Sequence, residues 1–380
     1  CRWTGYVDTL IQLEGHGRED LFDDIDLTRT VGWFTSVFPV RLTPADSLAS
    51  AIKQIKEQLR AIPNKGLGFG VLRHLGDEQA QASLKALPVP RITFNYLGQF
   101  DGSFDAEEGA LFSPAGERAG LEQSLDAPLD NWLGVEGQVY EGELDLRWTF
   151  SCEQFNEATI ARLADDFTRE LQALITHCCL PESMGTTPSD FPLARIGQAQ
   201  LDAITVPAAA IEDIYPLSPM QQGMLFHTLY EQGNGTYINQ LSVDVDGLDP
   251  ERFRAAWQAT MDAHDILRSG FIWQGELQEQ LQIIHRRLEL PYTLLDWRER
   301  DDITQALEDF TTADLAQGFD LTEAGLLRVT LIRVAEQRHH LIFTNHHILM
   351  DGWSSAQMLG EVLQRYAGQQ PPRPLSRYAD

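Results

Sequence analysis

No apolar run among the 380 residues approaches the roughly 20 that a membrane-spanning helix needs. The opening Cys1-Arg2-Trp3-Thr4-Gly5 has no basic start followed by an apolar core, so a secretory leader is not expected there. An initiating Met is also missing, and the chain is read as an internal piece of a longer protein. Cysteine is scarce, with Cys1, Cys152, Cys178 and Cys179 the whole set. None forms a C-x-x-C pair, and adjacent Cys178 and Cys179 do not readily bridge each other. A disulfide framework and a metal cluster are therefore not expected. Free thiols suit a reducing, cytoplasmic setting. Positive charge is short as well: 29 Lys and Arg stand against 56 Asp and Glu, for a net charge of −27. That balance excludes nucleic acid, whose binding depends on neutralising phosphates, and an anionic membrane surface. Residues 1–180 hold 15 basic and 28 acidic residues, or −13, and residues 181–380 hold 14 and 28, or −14. So even a spread reads as a solvated surface and not as an acidic tail.

What is present is enough apolar residue for two ordinary cores, at 43% hydrophobic over a length that suits two domains. Leu144, Leu146, Trp148 and Phe150 alternate with Glu143, Asp145, Arg147 and Thr149, the pattern of a half-buried strand. Ile92, Phe94 and Tyr96 make a similar strand face before Gly98. Leu48, Ile52, Ile55 and Leu59 recur at helical spacing up to Pro63, and Leu163, Phe167, Leu171 and Leu174 form a second helical stripe. From 181 to 210 the periodicity fades, and Pro181, Gly185, Pro188, Pro192, Gly197 and Pro207 punctuate it. This stretch is expected to be a linker. Beyond it, Phe253, Trp257 and Met261 predict a helix, and Leu326–Val334 with His339–His346 predict a hairpin. A turn at Asp351-Gly352 and a helix over Ser354–Tyr366 follow. Strands mixed with helices on both sides of the linker predict an α/β layered fold. No internal repeat is evident.

The sharpest chemical signal is His346-His347-Ile348-Leu349-Met350-Asp351-Gly352, where an apolar strand runs into a turn. A histidine held there can orient an attacking amine or take its proton, because imidazole titrates near neutrality. Adjacent strand residues point to opposite faces, so one of the two histidines is expected to work and the other to be structural. The carboxylate of Asp351 is placed to fix the turn or to pair with a cation. A lone strand histidine is more often a satisfied core residue, and His347 with Asp351 could ligate metal only on a helix, which the Asp-Gly turn argues against. The neighbouring motifs decide between these readings.

The segment resembles the H-H-x-x-x-D-G signature of condensation-type domains of nonribosomal peptide synthetases. Ser218-Pro219-Met220-Gln221-Gln222-Gly223-Met224-Leu225-Phe226-His227 is similar to the first motif of that family. His264-Asp265-Ile266-Leu267-Arg268-Ser269-Gly270-Phe271 is similar to the second, with Ala263 where the family often has Arg and Ser269 where Thr is common. Residues 1–180 resemble the back part of the related epimerization domain. Glu14-Gly15-His16-Gly17-Arg18-Glu19, Arg29–Thr35 with Pro39–Leu42, Pro63–Gly70 and Phe94–Asp101 match its motifs in order. Singly, each has a plainer reading: Trp33 and Phe34 as core, Glu14 as a solvated charge, Asn95 as an ordinary strand residue, and the glycines of Pro63–Gly70 as a turn.

The resemblance implies the two-lobed fold of chloramphenicol acetyltransferase, with its active site in a tunnel between lobes. It divides the chain into the C-terminal lobe of an epimerization domain (1–180), a linker (181–210) and the N-terminal lobe of a condensation domain (211–380). It implies that Glu14 is one of the two groups that invert a thioester-bound Cα, with Asn95 and Tyr96 shaping the site. The opposing group would be a histidine in a front lobe preceding residue 1. It implies that His347 acts on the acceptor amine, with His346 and Gly352 as motif support and Asp351 paired with Arg268. Epimerization followed by condensation implies a D-configured donor and an L-configured acceptor, a subclass whose first motif the Ser218–His227 segment resembles. The implied cofactor is 4′-phosphopantetheine, carried by partner carrier domains and not by this chain. The implied partners are upstream and downstream peptidyl carrier domains and adenylation domains of the same synthetase. An isolated chain with half of each site is expected to be inactive. A stand-alone acyltransferase acting on a soluble thioester would need a D-F-G-W-G motif, which is not found, and would leave residues 1–180 unexplained. A non-catalytic carrier-docking piece is the other alternative, and a turnover assay separates it from the enzyme.

Overall fold

The computed structural model describes residues 3–379 except 20, 23, 100–119, 121–123, 125, 128–130, 141, 181–182, 184, 231–236, 276, 278 and 373–375. Cys1 and the Phe100-Asp101 end of the fourth motif thus lie outside the described residues. The other three cysteines are free thiols. The chain divides between 184 and 185 into two units, both of mixed α/β build as expected. No helix among the described residues is long and apolar enough to cross a membrane.

The first unit contains β1 (Thr9–Gly15), β2 (Ser36–Leu42), α1 (Leu48–Arg60), α2 (Leu67–Leu75), α3 (Glu78–Lys85), β3 (Ile92–Gln99), β4 (Leu133–Tyr140), β5 (Glu143–Phe150) and α4 (Glu157–Cys178). The strands form one mixed sheet in the order β2-β1-β3-β4-β5, with β1, β3 and β4 parallel. Its core gathers Leu133 and Val135 of β4, Phe94 of β3 and Trp148 of β5 against Ile160 and Leu163 of α4. Trp148 meets Phe167 edge-on at 5.7 Å, so the alternating strand and the helical stripe read from the sequence are the two halves of one packing layer. Ser47 caps α1 by accepting from the Ser50 N–H.

The second unit contains α5 (Gln198–Asp202), β6 (Ile211–Pro216), α6 (Pro219–Tyr230), β7 (Ile238–Asp246), α7 (Pro250–Ala263), β8 (Ser269–Ile272), β9 (Leu281–His285), β10 (Tyr292–Asp296), α8 (Ile303–Gln317), β11 (Leu327–Arg333), β12 (Arg338–His346) and α9 (Gly352–Tyr366). One sheet runs β10-β11-β12-β7 and a smaller one β6-β9-β8. The predicted hairpin is β11 with β12 in antiparallel register. α7 and α9 cover one face of the larger sheet: Trp257 is 1% exposed and its ring lies 4.9 Å from that of Phe343, with Met358 and Val362 beside them. On the other face Asp314 of α8 pairs with Arg328 of β11 at 2.9 Å and also accepts from Gln240 and Thr344. That network ties three strands to one helix, and both charges have partners.

Within the stretch read as a linker, residues 187–201 are packed and not extended. Thr187 and Asp190 close a capping box, and Phe191, Ala194, Ile196 and Leu201 are buried against Ile211, Ile214, Leu281 and Ile283 of the second unit. Proline and glycine end a periodic hydrogen-bonding pattern, but they do not stop irregularly spaced apolar residues from packing.

Candidate functional site

The H-H-x-x-x-D-G segment sits at the exit of β12, which is buried along most of its length. His346, the last strand residue, points inward and is 1% exposed. Its Nδ1 accepts from the Ile348 N–H at 3.1 Å, and its Nε2 lies 3.3 Å from the Thr228 hydroxyl of α6. Burial, reinforced by the neighbouring His347, lowers its pKa from 6.5 to about 4. His346 is therefore neutral and structural at neutral pH. His347, next along, turns the other way, is partly exposed and lines a cavity of 1210 Å³. Its backbone N–H donates to the Tyr237 carbonyl at 2.7 Å, and its Nδ1 lies 3.0 Å from Asn239 Nδ2 at the start of β7.

The first motif supports this segment from beneath. The Gln221 side chain, 3% exposed, donates to the Ile348 carbonyl and to Gln282 Oε1, both at 3.2 Å, and its own oxygen accepts from Ser218 N–H. The start of α6 and the residue after His347 are thus held by one buried amide, whose loss would leave polar groups unpaired.

Arg268 and Asp351 both line the cavity but do not form the pair expected of them. Arg268 is buried, and its Nη1 donates to Glu212 Oε2 at 2.7 Å and to the His285 carbonyl. Asp351 instead caps α9, accepting from the Ser354 N–H at 2.8 Å, a bond that lowers its carboxyl pKa. The physical reason is local: four unsatisfied N–H groups open every helix, and the Asp immediately before Gly352 is in place to accept from one. Gly352 is the first residue of α9, and a Cβ there would meet nothing within 4 Å. Its presence is not explained by crowding.

The neutral state of His346 carries a testable cost in acid. As pH falls below 6.5 the unfolded chain takes up this proton, while the folded site resists until about pH 4. Stability is fully present above the upper value and is lost on the way down. The loss from this residue is about 3 kcal/mol. Urea titrations of the second unit between pH 7 and pH 4 should show that slope, and His346→Gln should flatten it. An equal slope in the variant would assign the acid sensitivity to other groups.

In the first unit, the parallel register of β1 and β3 places Glu14 beside Asn95, whose Nδ2 donates to Glu14 Oε2 at 3.1 Å. Three of the motifs converge on the end of β1. Arg18 lies over the Phe34 ring at 4.2 Å and donates to the Leu27 carbonyl, and Lys65 pairs with Glu19 at 2.7 Å. Gly17, at φ 67°, leaves room for the Phe34 carbonyl, which would overlap a Cβ built there. Gly66, at φ 82°, does the same for the Phe38 ring. Any side chain would collide at both. Phe34 is half-buried under Arg18, but Trp33 is 93% exposed. Tyr96 does not join Glu14 and Asn95. Strand alternation turns it to the opposite face, where it lies across from Gly137 on β4. Among the described residues no group of three or more His, Cys, Asp or Glu is arranged to hold a metal.

Asn239, Tyr237, Gln221 and Thr228 are the supporting residues that the sequence did not single out. Gln221 and Thr228 lie in or beside the first motif, whose spacing hinted at a role. Asn239 and Tyr237 carry no local signal, because only the pairing of β7 with β12 brings them to His347.

The family model described as "Condensation domain" matches residues 1–196 and 211–380. A linear gramicidin synthase protein of Brevibacillus parabrevis is 41% identical over 358 residues, which is 93% of this chain and 7% of that protein. A mycosubtilin synthase protein of Bacillus subtilis is 38% identical over 374 residues, 96% of this chain and 14% of that protein. The chain therefore spans only a small part of these relatives' length. Among solved structures, the epimerization domain from the third module of tyrocidine synthetase B is 42% identical over 47% of this chain and 39% of its own, with a TM-score of 0.42.

Proposed function

Because the chain belongs to the condensation-domain family of nonribosomal peptide synthetases, we propose that it carries the back lobe of an epimerization site followed by the front lobe of a condensation site. The observation that carries this reading is His347 at a strand exit, its backbone anchored and its ring on the wall of a large cavity. The cavity lining mixes apolar Met224 and Met358 with polar Gln221 and Arg377, which suits an arm that has both methylene and amide groups. A phosphopantetheine arm brought by a carrier domain would supply the acyl group activated as a thioester. His347 would work at the centre where the acceptor amine meets the thioester, and Gln221, Tyr237 and Asn239 would hold its segment in place. In the first unit Glu14 would exchange the Cα proton from one face, held by Asn95, opposite a histidine from a lobe outside this chain. On this reading residues 1–380 alone turn nothing over, and activity belongs to the intact synthetase with its adenylation and carrier domains.

The order of the two activities, with the form of the Ser218–His227 motif, favours a D-configured donor and an L-configured acceptor. The test is to load the donor carrier of the synthetase chemically with D- or L-configured arms, bypassing epimerization. Dipeptide should form roughly tenfold or more faster from the D donor. Equal rates would remove the stereochemical assignment while leaving condensation itself in place.

A further inference from the structure

Tyr237, just before β7, and Asn239, within it, hold His347 at two points. Tyr237 supplies the carbonyl for its N–H, and does so from φ 69°, a left-handed conformation that a tyrosine seldom adopts. Asn239, two residues on, brings Nδ2 to 3.0 Å from His347 Nδ1. An amide nitrogen can only donate, so Nδ1 must accept. A neutral imidazole whose Nδ1 accepts carries its single proton on Nε2. With Nδ1 taken by Asn239, Nε2 is the nitrogen left to meet a substrate in the cavity. The buried neighbour follows the same rule: His346 Nδ1 accepts from Ile348 N–H, leaving Nε2 to donate toward Thr228.

We propose that Asn239 is a positioning residue that selects the Nε2–H tautomer of His347, so that the ring meets the reacting centre as a hydrogen-bond donor and not as the acceptor of the amine proton. The inference rests on the reading of His347 as the working group of the condensation half. In the step that follows, the acceptor amine attacks as the free base, and its lone pair forms the C–N bond to the thioester carbon. The carbonyl π pair moves onto oxygen, where Nε2–H stabilises the developing charge. Collapse re-forms the C=O bond and breaks the C–S bond, and the ammonium proton ends on the departing thiolate. The products are an amide and a carrier thiol, and His347 finishes with the proton it began with.

The tautomer can be read directly, without turnover. The 380-residue chain, labelled with 15N-histidine, is observed at about pH 9, where an ordinary imidazole is neutral. Subtracting the spectrum of His347→Gln assigns the ring. The wild-type ring should show a bare Nδ1 and a protonated Nε2. Asn239→Asp places a carboxylate, which only accepts, at the same exposed edge-strand position, and should move the proton to Nδ1. Asn239→Ala should give a mixture of the two forms. A wild-type ring protonated on Nδ1 would overturn the proposal, and so would an Nε2–H ring unchanged in both variants. If instead His347→Ala left peptide-bond formation intact, the role of His347 would fail while the tautomer result stood.

Discussion

Replacing His347 by alanine is expected to slow peptide-bond formation in the intact synthetase by roughly a hundredfold to ten-thousandfold, the range for a positioned proton-handling or proton-donating side chain. The substitution should do this without harming the fold. The ring is partly exposed, and the contact that anchors the segment, the 2.7 Å bond to the Tyr237 carbonyl, comes from the backbone and survives in alanine. Loading of both carrier domains should be unchanged, because neither adenylation nor thioester formation uses this residue on the proposed reading. The measurement is dipeptide released per loaded carrier under single-turnover conditions. A mutant that reaches wild-type yield at wild-type rate would remove His347 from the mechanism. His346→Ala is a poor substitute for this test, because it empties a buried, hydrogen-bonded position.

Glu14→Gln should abolish Cα inversion by a comparable factor. The reason is that the substitution separates shape from proton chemistry. Asn95 Nδ2 donates to Glu14 at 3.1 Å, and a glutamine carbonyl oxygen in the same place can accept that bond. Geometry is retained, but an amide cannot cycle a proton near neutral pH, so a loss of roughly a hundredfold to ten-thousandfold is expected. Chiral analysis of the residue released from the upstream carrier reads the effect as a fall in the D/L ratio toward pure L. An unchanged ratio would show that Glu14 is not one of the inverting groups. Condensation in the same variant, supplied with a pre-formed D donor, should continue at the normal rate, which separates the two halves of the proposed function.

The elements are legible where a single face is buried. Leu163, Phe167, Leu171 and Leu174 are less exposed than most of α4, and Phe253, Trp257 and Met261 are buried in α7 as their spacing requires. The hairpin of β11 and β12 follows from apolar runs around a polar turn. Residues 187–201 look like linker because burial there uses irregular turns, which leave no period to detect. The sequence suggests a pair of Arg268 and Asp351 because opposite charges at two motif positions attract. In the fold each has a nearer partner, Glu212 for the guanidinium and the α9 N-terminus for the carboxylate. Adjacency along the chain groups Tyr96 with Asn95, but in a strand adjacency is the arrangement that separates two side chains.

The sequence alone determined which residues are the candidates for chemistry. Residue types at fixed short spacings, such as His346-His347 with Asp351-Gly352 or Glu14 with Gly17, are properties of the chain before it folds, and so are the acidic surface and the scarcity of cysteine. Only the tertiary structure decided who holds whom. Asn239 lies 108 residues from His347, and Gln221 lies 127 from Ile348. Hydrogen bonds across such separations depend on strand register and helix docking, which arise from the burial of the whole core and are written in no local pattern.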